Sequence, residues 1–359
     1  PADLACYQKA GKVWEKHKAV LPHPKSKIPK GQETTRLLEH HYLYWHQMFN
    51  SRQLLALTTL MQQIADEKSE KDRELLLCAF SNTLEANNMF TRQITARSTP
   101  GGTHPAGVFA RHDFQPKMSI CEQNVWGTKS GNNTFTRRIW ALEEGVEFRQ
   151  KPWDAKVPTG TKMVKVYSGD ILEHDAEATL QSADSRKCIS TTGSFDLVVT
   201  DPPYAGNVNY SELSDFFYVW LRLALRQQYP QFAPEYAPKA EEIVENATRG
   251  TSTGDFEKGM TEVFCQCNQM SDGLLVFTFH HADNDAWYAV LNMVCNAGFE
   301  IVAVYPVHQR GNSPCICSTK KAPSPTTSFT SARSGPTTPR LLAHGRTSVR
   351  RYAKGRARK

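Results

Sequence analysis

Alternating strand and helix patterns between residues 161 and 307 limit the fold more than any other feature of the chain. The segments "KMVKVYSGD", "FDLVVTDPPY", "GLLVFTFHH" and "FEIVAVYPV" read as strands. "DFFYVWLRLAL", "FEKGMTEVFCQCNQM" and "AWYAVLNMVCNAG" read as helices, the last ending at Gly298. A chain that returns to a strand after each helix lays its strands parallel in one doubly wound sheet. The second strand carries the sharpest signal. Gly193 and Ser194 are turn formers, and Leu197, Val198 and Val199 make a short apolar run that reads as a buried strand of a parallel sheet. Pro202 and Pro203 then stop the strand, because neither can donate to a β ladder. Asp201 is therefore expected at the carboxyl end of a central strand, the edge at which open α/β sheets bind ligands.

Residues 1–96 read as a helical region, although the first 35 are polar, rich in Lys and Pro, and read as a loop or an ordered edge of something larger. The helical signal starts at Thr35. "SRQLLALTTLMQQIADE" sets Leu54, Leu55, Leu57, Leu60, Met61, Ile64 and Ala65 near one stripe, with Asn50 or Ser51 as the N-cap. "DRELLLCAFSNTLEANNMF" continues as a second amphipathic helix. Residues 97–160, rich in Gly, Thr, Asn and Pro with isolated aromatics, read as an irregular connecting region. Residues 161–307 hold the α/β pattern, and 308–359 lack apolar periodicity and read as a disordered tail.

Composition removes several function classes. No apolar run approaches the length of a membrane span, and no signal-peptide pattern opens the chain, so no membrane partner is expected. Nine cysteines without a paired framework suit a reducing, cytoplasmic setting. Cys265 and Cys267 form a C-x-C on a helical pattern that points them apart, and no second pair completes a zinc site, so no metal is expected. The formal net charge of +7 belongs to the tail, where 12 Lys/Arg and no Asp or Glu follow Val307. The remaining 31 basic and 36 acidic residues leave the body at −5, which is no electrostatic footprint for nucleic acid. The chain has no internal repeat, no G-x-G-x-x-G and no phosphate-binding G-x-x-x-x-G-K-[ST].

The residues D-P-P-Y suit one chemistry well. The exocyclic amine of a nucleobase is a poor nucleophile because its lone pair is delocalised into the ring. A carboxylate and a backbone carbonyl that both accept from the NH₂ draw the nitrogen toward tetrahedral geometry and stabilise the positive charge developing on it. Asp201 and the Pro202 carbonyl supply those acceptors, and the Pro202–Pro203 pair stiffens their placement. Tyr204 offers a ring on which a flipped base stacks. Turn formation by Asp-Pro and packing by Tyr is the competing, purely structural account of the same four residues.

The motif resembles motif IV of the amino-group methyltransferases that act on adenine N6 in DNA with S-adenosylmethionine. The longer stretch "VVTDPPYAGNVNYSELSDFFYVWLR" is similar to one branch of them, the large bacterial adenine-specific DNA methylases that carry an internal zinc ribbon. "MFNSRQLLALTTL", "RHDFQPKMSICEQNVWG", "TFTRRIW" and the stretch from "GLLVFTFHH" to "AVYPV" extend the likeness over about residues 15–307. The resemblance implies an α/β fold: part of a class I methyltransferase (Rossmann-like) sheet with an N-terminal helical region, S-adenosylmethionine as cofactor and double-stranded DNA as partner. It assigns Asp201, Pro202, Pro203 and Tyr204 to catalysis and Asp170 of "VYSGD" to the cofactor adenine. Asn207, Asn209, Tyr210 and His280, near the same edge, are candidate substrate contacts.

The departures are as informative. A D-P-F-x-G glycine turn and zinc-ribbon cysteines, which the family carries upstream of D-P-P-Y, do not occur in this sequence. The chain is thus expected to be the back part of a larger enzyme, truncated at its N-terminus and inactive alone. An upstream polypeptide would then supply the cofactor loop, and the sheet would expose an unpaired edge. After Val307 the family has a hairpin into a final strand. Here the tail reads instead as out of frame, since codons for "TTSFTSARSG" permit DFIHVCKIR two bases on. Methylation of cytosine N4 or of a protein glutamine amide needs the same amine chemistry, though Asp in place of Ser or Asn at the motif's first position favours adenine. A non-catalytic fragment that binds DNA or a partner chain is the remaining alternative.

Overall fold

The computed structural model describes residues 2–95, 103–116, 121–127, 133–156, 164–167, 179–187, 194–206, 208–279, 284–307 and 327–334. The molecule mixes helices with small sheets and is broadly α/β. It divides into two compact units that are discontinuous in sequence. One comprises residues 1–179 with 210–239, the other 180–209 with 240–359.

The first unit contains α1 (Ala2–His17), α2 (Thr35–Glu39), α3 (Ser51–Ala65), α4 (Glu70–Leu84), α5 (Phe135–Gln150) and α6 (Tyr210–Leu225). It also holds two antiparallel hairpins, β1 (Arg92–Thr95) with β2 (Thr103–Ala106) and β3 (Trp153–Lys156) with β4 (Val164–Tyr167). The start of α3 follows its sequence signal. Asn50 accepts from the Gln53 backbone while the Gln53 side chain accepts from the Asn50 backbone, a reciprocal cap that satisfies two helix-end donors. Three expectations differ here. Residues 2–17 form a helix where a loop or an ordered edge was expected, because one buried anchor, Trp14, suffices to dock an otherwise exposed, charged helix. The connecting region contains α5, capped by Thr134 but burying only Phe135, so its apolar stripe is too weak to read. "VKVY" pairs with the antiparallel strand β3 rather than joining a parallel sheet.

The core of this unit is aromatic. Phe216 and Trp220 of α6 are almost wholly buried, and they pack against Phe49 at ring separations of 5.7 and 5.3 Å. Two acids on the same helix are also buried and must find partners. Glu212 accepts the backbone N–H groups of Gln32 and Glu33, and Asp215 accepts from Ala237 and pairs with Lys239 at 2.7 Å. The charged pattern in "NYSELSDFFYVWLR" thereby ties two loop segments to α6.

The second unit contains β5 (Phe195–Thr200), α7 (Thr253–Met270), β6 (Ser271–Phe279), α8 (Asn284–Asn296), β7 (Phe299–Val307) and β8 (Thr327–Ser334). The strands form one sheet in the order β5-β6-β8-β7. β5 and β6 are parallel, whereas β8 runs antiparallel to both of its neighbours. Here the tail departs from expectation. Residues 327–334, read as disordered, are inserted between β6 and β7, where a strand can satisfy two rows of backbone donors and acceptors at once. Leu275, Phe277 and Phe279 of β6 are buried against Phe256, Met260 and Phe264 of α7 and Val290, Met293 and Val294 of α8. Alternation along β6 leaves Leu274, Val276 and Thr278 on the opposite, half-buried face.

Candidate functional site

The site lies at the carboxyl end of β5. Its register pairs Val199 with Val276 and Thr200 with Phe277 of β6, so Asp201, one residue past the strand, stands level with Thr278. Alternation sends the Asp201 side chain to the same face as Leu197 and Val199, away from the α7–α8 core, and it is exposed. Pro202 is buried, while Pro203 and Tyr204 are half-buried. The turn that follows is tight. Ala205 adopts φ 50°, a left-handed conformation uncommon outside glycine and often concentrated at functional sites.

Two hydroxyls converge on Asp201. Tyr204 donates through its phenol to Oδ1 at 2.6 Å, and Thr278 donates through Oγ1 to the same oxygen. No hydrogen bond to Oδ2 is present among the described residues. The Tyr204 ring is steadied in turn, standing edge-to-face on Phe279 at 5.3 Å, with Phe279 likewise edge-to-face on Trp287 at 4.9 Å.

The other sequence-derived candidates are placed differently. Asn209 is fully buried, and its Oδ1 accepts from Asn246 Nδ2 at 2.7 Å. Asn246 itself, also fully buried, accepts from the backbone of Thr248 and Arg249 and so organises the loop ahead of α7. Asn209 thus presents no polar group to solvent beside the motif. Tyr210 is 60% exposed at the first turn of α6. Asp170, Asn207 and His280 lie outside the described residues.

Thr278 was not singled out from the sequence. It is the one polar residue in the run from Leu274 to Phe279, which was a usable signal. Only the β5–β6 register shows that it meets Asp201. Among the described residues no group of His, Cys, Asp and Glu is arranged to hold a metal ion, and Cys265 and Cys267 are both free thiols. No helix among them is long and apolar enough to cross a membrane. No protein-family model, no curated protein and no solved structure matches the chain.

Proposed function

We propose that this chain carries the amine-orienting part of an S-adenosylmethionine-dependent DNA methyltransferase acting on adenine N6. The observation that carries the reading is the exposed Asp201 carboxylate at a strand end, with one oxygen held by two hydroxyls and the other without a hydrogen bond among the described residues. Further support comes from the hairpin of β7 and β8, which returns the chain into the sheet as the resembled family does after the same segment.

In this reading the target adenine is turned out of the duplex and its N6 amine donates one N–H to Asp201 Oδ2 and the other to the Pro202 carbonyl. Two fixed acceptors draw the nitrogen out of conjugation and stabilise the charge that forms on it during transfer. The Tyr204 ring supports the base by stacking, a contact that contributes about 1–3 kcal/mol per base in other proteins. The methyl donor enters through the resemblance alone. Among the described residues, cavities of about 400 and 430 Å³ are lined around Arg52, Gln53 and Trp126 and around Arg186, Glu241 and Cys265. Neither includes the motif, and Asp170 lies outside the described residues. The roles of the described residues in this reading concern the amine.

The test is recognition of that amine. Oligonucleotide duplexes with one weakly paired adenine, or with purine lacking the amine at the same position, are titrated with the chain by fluorescence anisotropy. A hydrogen bond to a carboxylate predicts a preference for adenine of about tenfold, abolished in Asp201→Ala. Equal affinity of the wild-type chain for the two duplexes would overturn the assignment.

A further inference from the structure

Resting on that reading, we infer that Thr278 and the Tyr204 hydroxyl are positioning residues that decide which oxygen of Asp201 receives the substrate amine. A carboxylate at the end of an exposed side chain rotates about its last bond and offers either oxygen in a broad range of directions. Alignment of an acceptor with a reacting nitrogen tolerates only about 10–20° of error. Something must therefore hold the carboxylate plane.

Two independent anchors do so. Thr278 is on β6, brought level with Asp201 by the parallel register, and its β-branched side chain is stiff at χ1. Its hydroxyl proton is directed to Asp201 Oδ1. Tyr204 comes from the loop after β5, and its ring is held against Phe279, a residue in the unit's buried core. Its hydroxyl reaches the same Oδ1. One donor is thus tied to the sheet and the other to the aromatic cluster, and together they fix the carboxylate from two directions. With Oδ1 committed, Oδ2 is the acceptor left for the amine. Tyr204 consequently has a second role besides stacking. The hydroxyl, not only the ring face, contributes to amine recognition.

The experiment uses the full chain and the adenine and purine duplexes described above. Thr278→Val keeps the shape of the side chain and removes only the hydroxyl, and Thr278→Ser keeps the hydroxyl. Thr278→Val is expected to lower the adenine preference from about tenfold to about threefold or less, with affinity for the purine duplex unchanged, and Thr278→Ser to restore it. Tyr204→Phe should produce a similar loss with purine affinity retained. A general disturbance of the fold would weaken both duplexes together, so the ratio isolates positioning. Full preference in both Thr278→Val and Tyr204→Phe, alongside its loss in Asp201→Ala, would overturn this inference and leave the methyltransferase reading standing. Equal affinity of wild type and Asp201→Ala for adenine would reject both.

Discussion

Replacing Asn209 separates two accounts of a residue that follows the D-P-P-Y motif closely. If it lines a base pocket, Asn209→Ala harms binding and leaves folding alone. The structure assigns it a buried hydrogen bond to Asn246 at 2.7 Å, with both residues fully buried. Truncating Asn209 removes this hydrogen bond from the interior, at about 0.5–1.5 kcal/mol. Asn246→Ala does more. It removes the same hydrogen bond and also the acceptor for the backbone N–H groups of Thr248 and Arg249. Loss of such a cap adds about 1 kcal/mol, for a total of about 1.5–2.5 kcal/mol. The two changes share one contact, so the double mutant should fall short of their sum by about 0.5–1.5 kcal/mol. Amide hydrogen exchange of the β6 peptide, read by mass spectrometry, reports opening of this unit. Asn246→Ala should accelerate it between about 10-fold and 60-fold, since each 1.4 kcal/mol is a factor of ten. Unchanged exchange in Asn209→Ala, together with a lost adenine preference, would refute the anchoring account.

Two further perturbations test the scaffold. His23 and His46 are held below the ordinary imidazole value of 6.5, chiefly by burial, and their rings meet edge-on at 5.5 Å. A depressed folded value means that stability is present above pH 6.5 and lost as pH falls through the folded values. The urea midpoint should therefore drop between pH 7.5 and 5.5, and drop less in His46→Gln; equal slopes would remove this pair as the cause. Gly273 on β6 passes so close to the Asp196 backbone, beside the irregular β5–β6 register, that an added Cβ would collide with its carbonyl. Gly273→Ala should destabilise the unit by about 1–3 kcal/mol in denaturant unfolding, and an unchanged midpoint would mean that the strands separate freely there.

What could be read from the sequence was what a local period or cap encodes. α3 announces itself through its apolar stripe and Asn50, and β7 coincides with "FEIVAVYPV". α5 was hidden because it buries only Phe135, although Thr134 marked its start. β8 was hidden for another reason. Its place is set by backbone pairing to two strands distant in sequence, so no apolar period was needed to encode it. The motif's strand and its stop are local and coincide with β5, but a buried, central strand was expected, and among the described residues β5 is largely exposed and pairs on one side only, because burial and neighbours depend on chain distant in sequence. The partners of the motif were not legible either. Thr278 lies 77 residues from Asp201, and Asn246 lies 37 from Asn209, so each depends on a register or a loop path that no sequence window contains.

The sheet face that carries Asp201 also makes a prediction about association. Strands of parallel sheets are ordinarily covered on both faces, and their composition is apolar on both. β5 has that composition, yet Phe195, Leu197 and Val199 are 43, 52 and 68% exposed, while Val198 packs against the core. Among the described residues β5 also pairs on one side only, with β6. An apolar face beside a free strand edge favours intermolecular pairing. The wild-type chain should therefore show concentration-dependent association by sedimentation velocity. Val199→Lys should suppress it while changing stability by no more than about 0.5 kcal/mol, the usual range for an exposed site. Val198→Lys, one residue away on the covered face, should instead unfold the unit, because its charge would be buried without a partner. The contrast between adjacent positions is what makes the test decisive. If Val199→Lys unfolded the unit as Val198→Lys does, the face would be covered in solution and the exposure at the end of β5, on which Asp201 depends, would have to be abandoned.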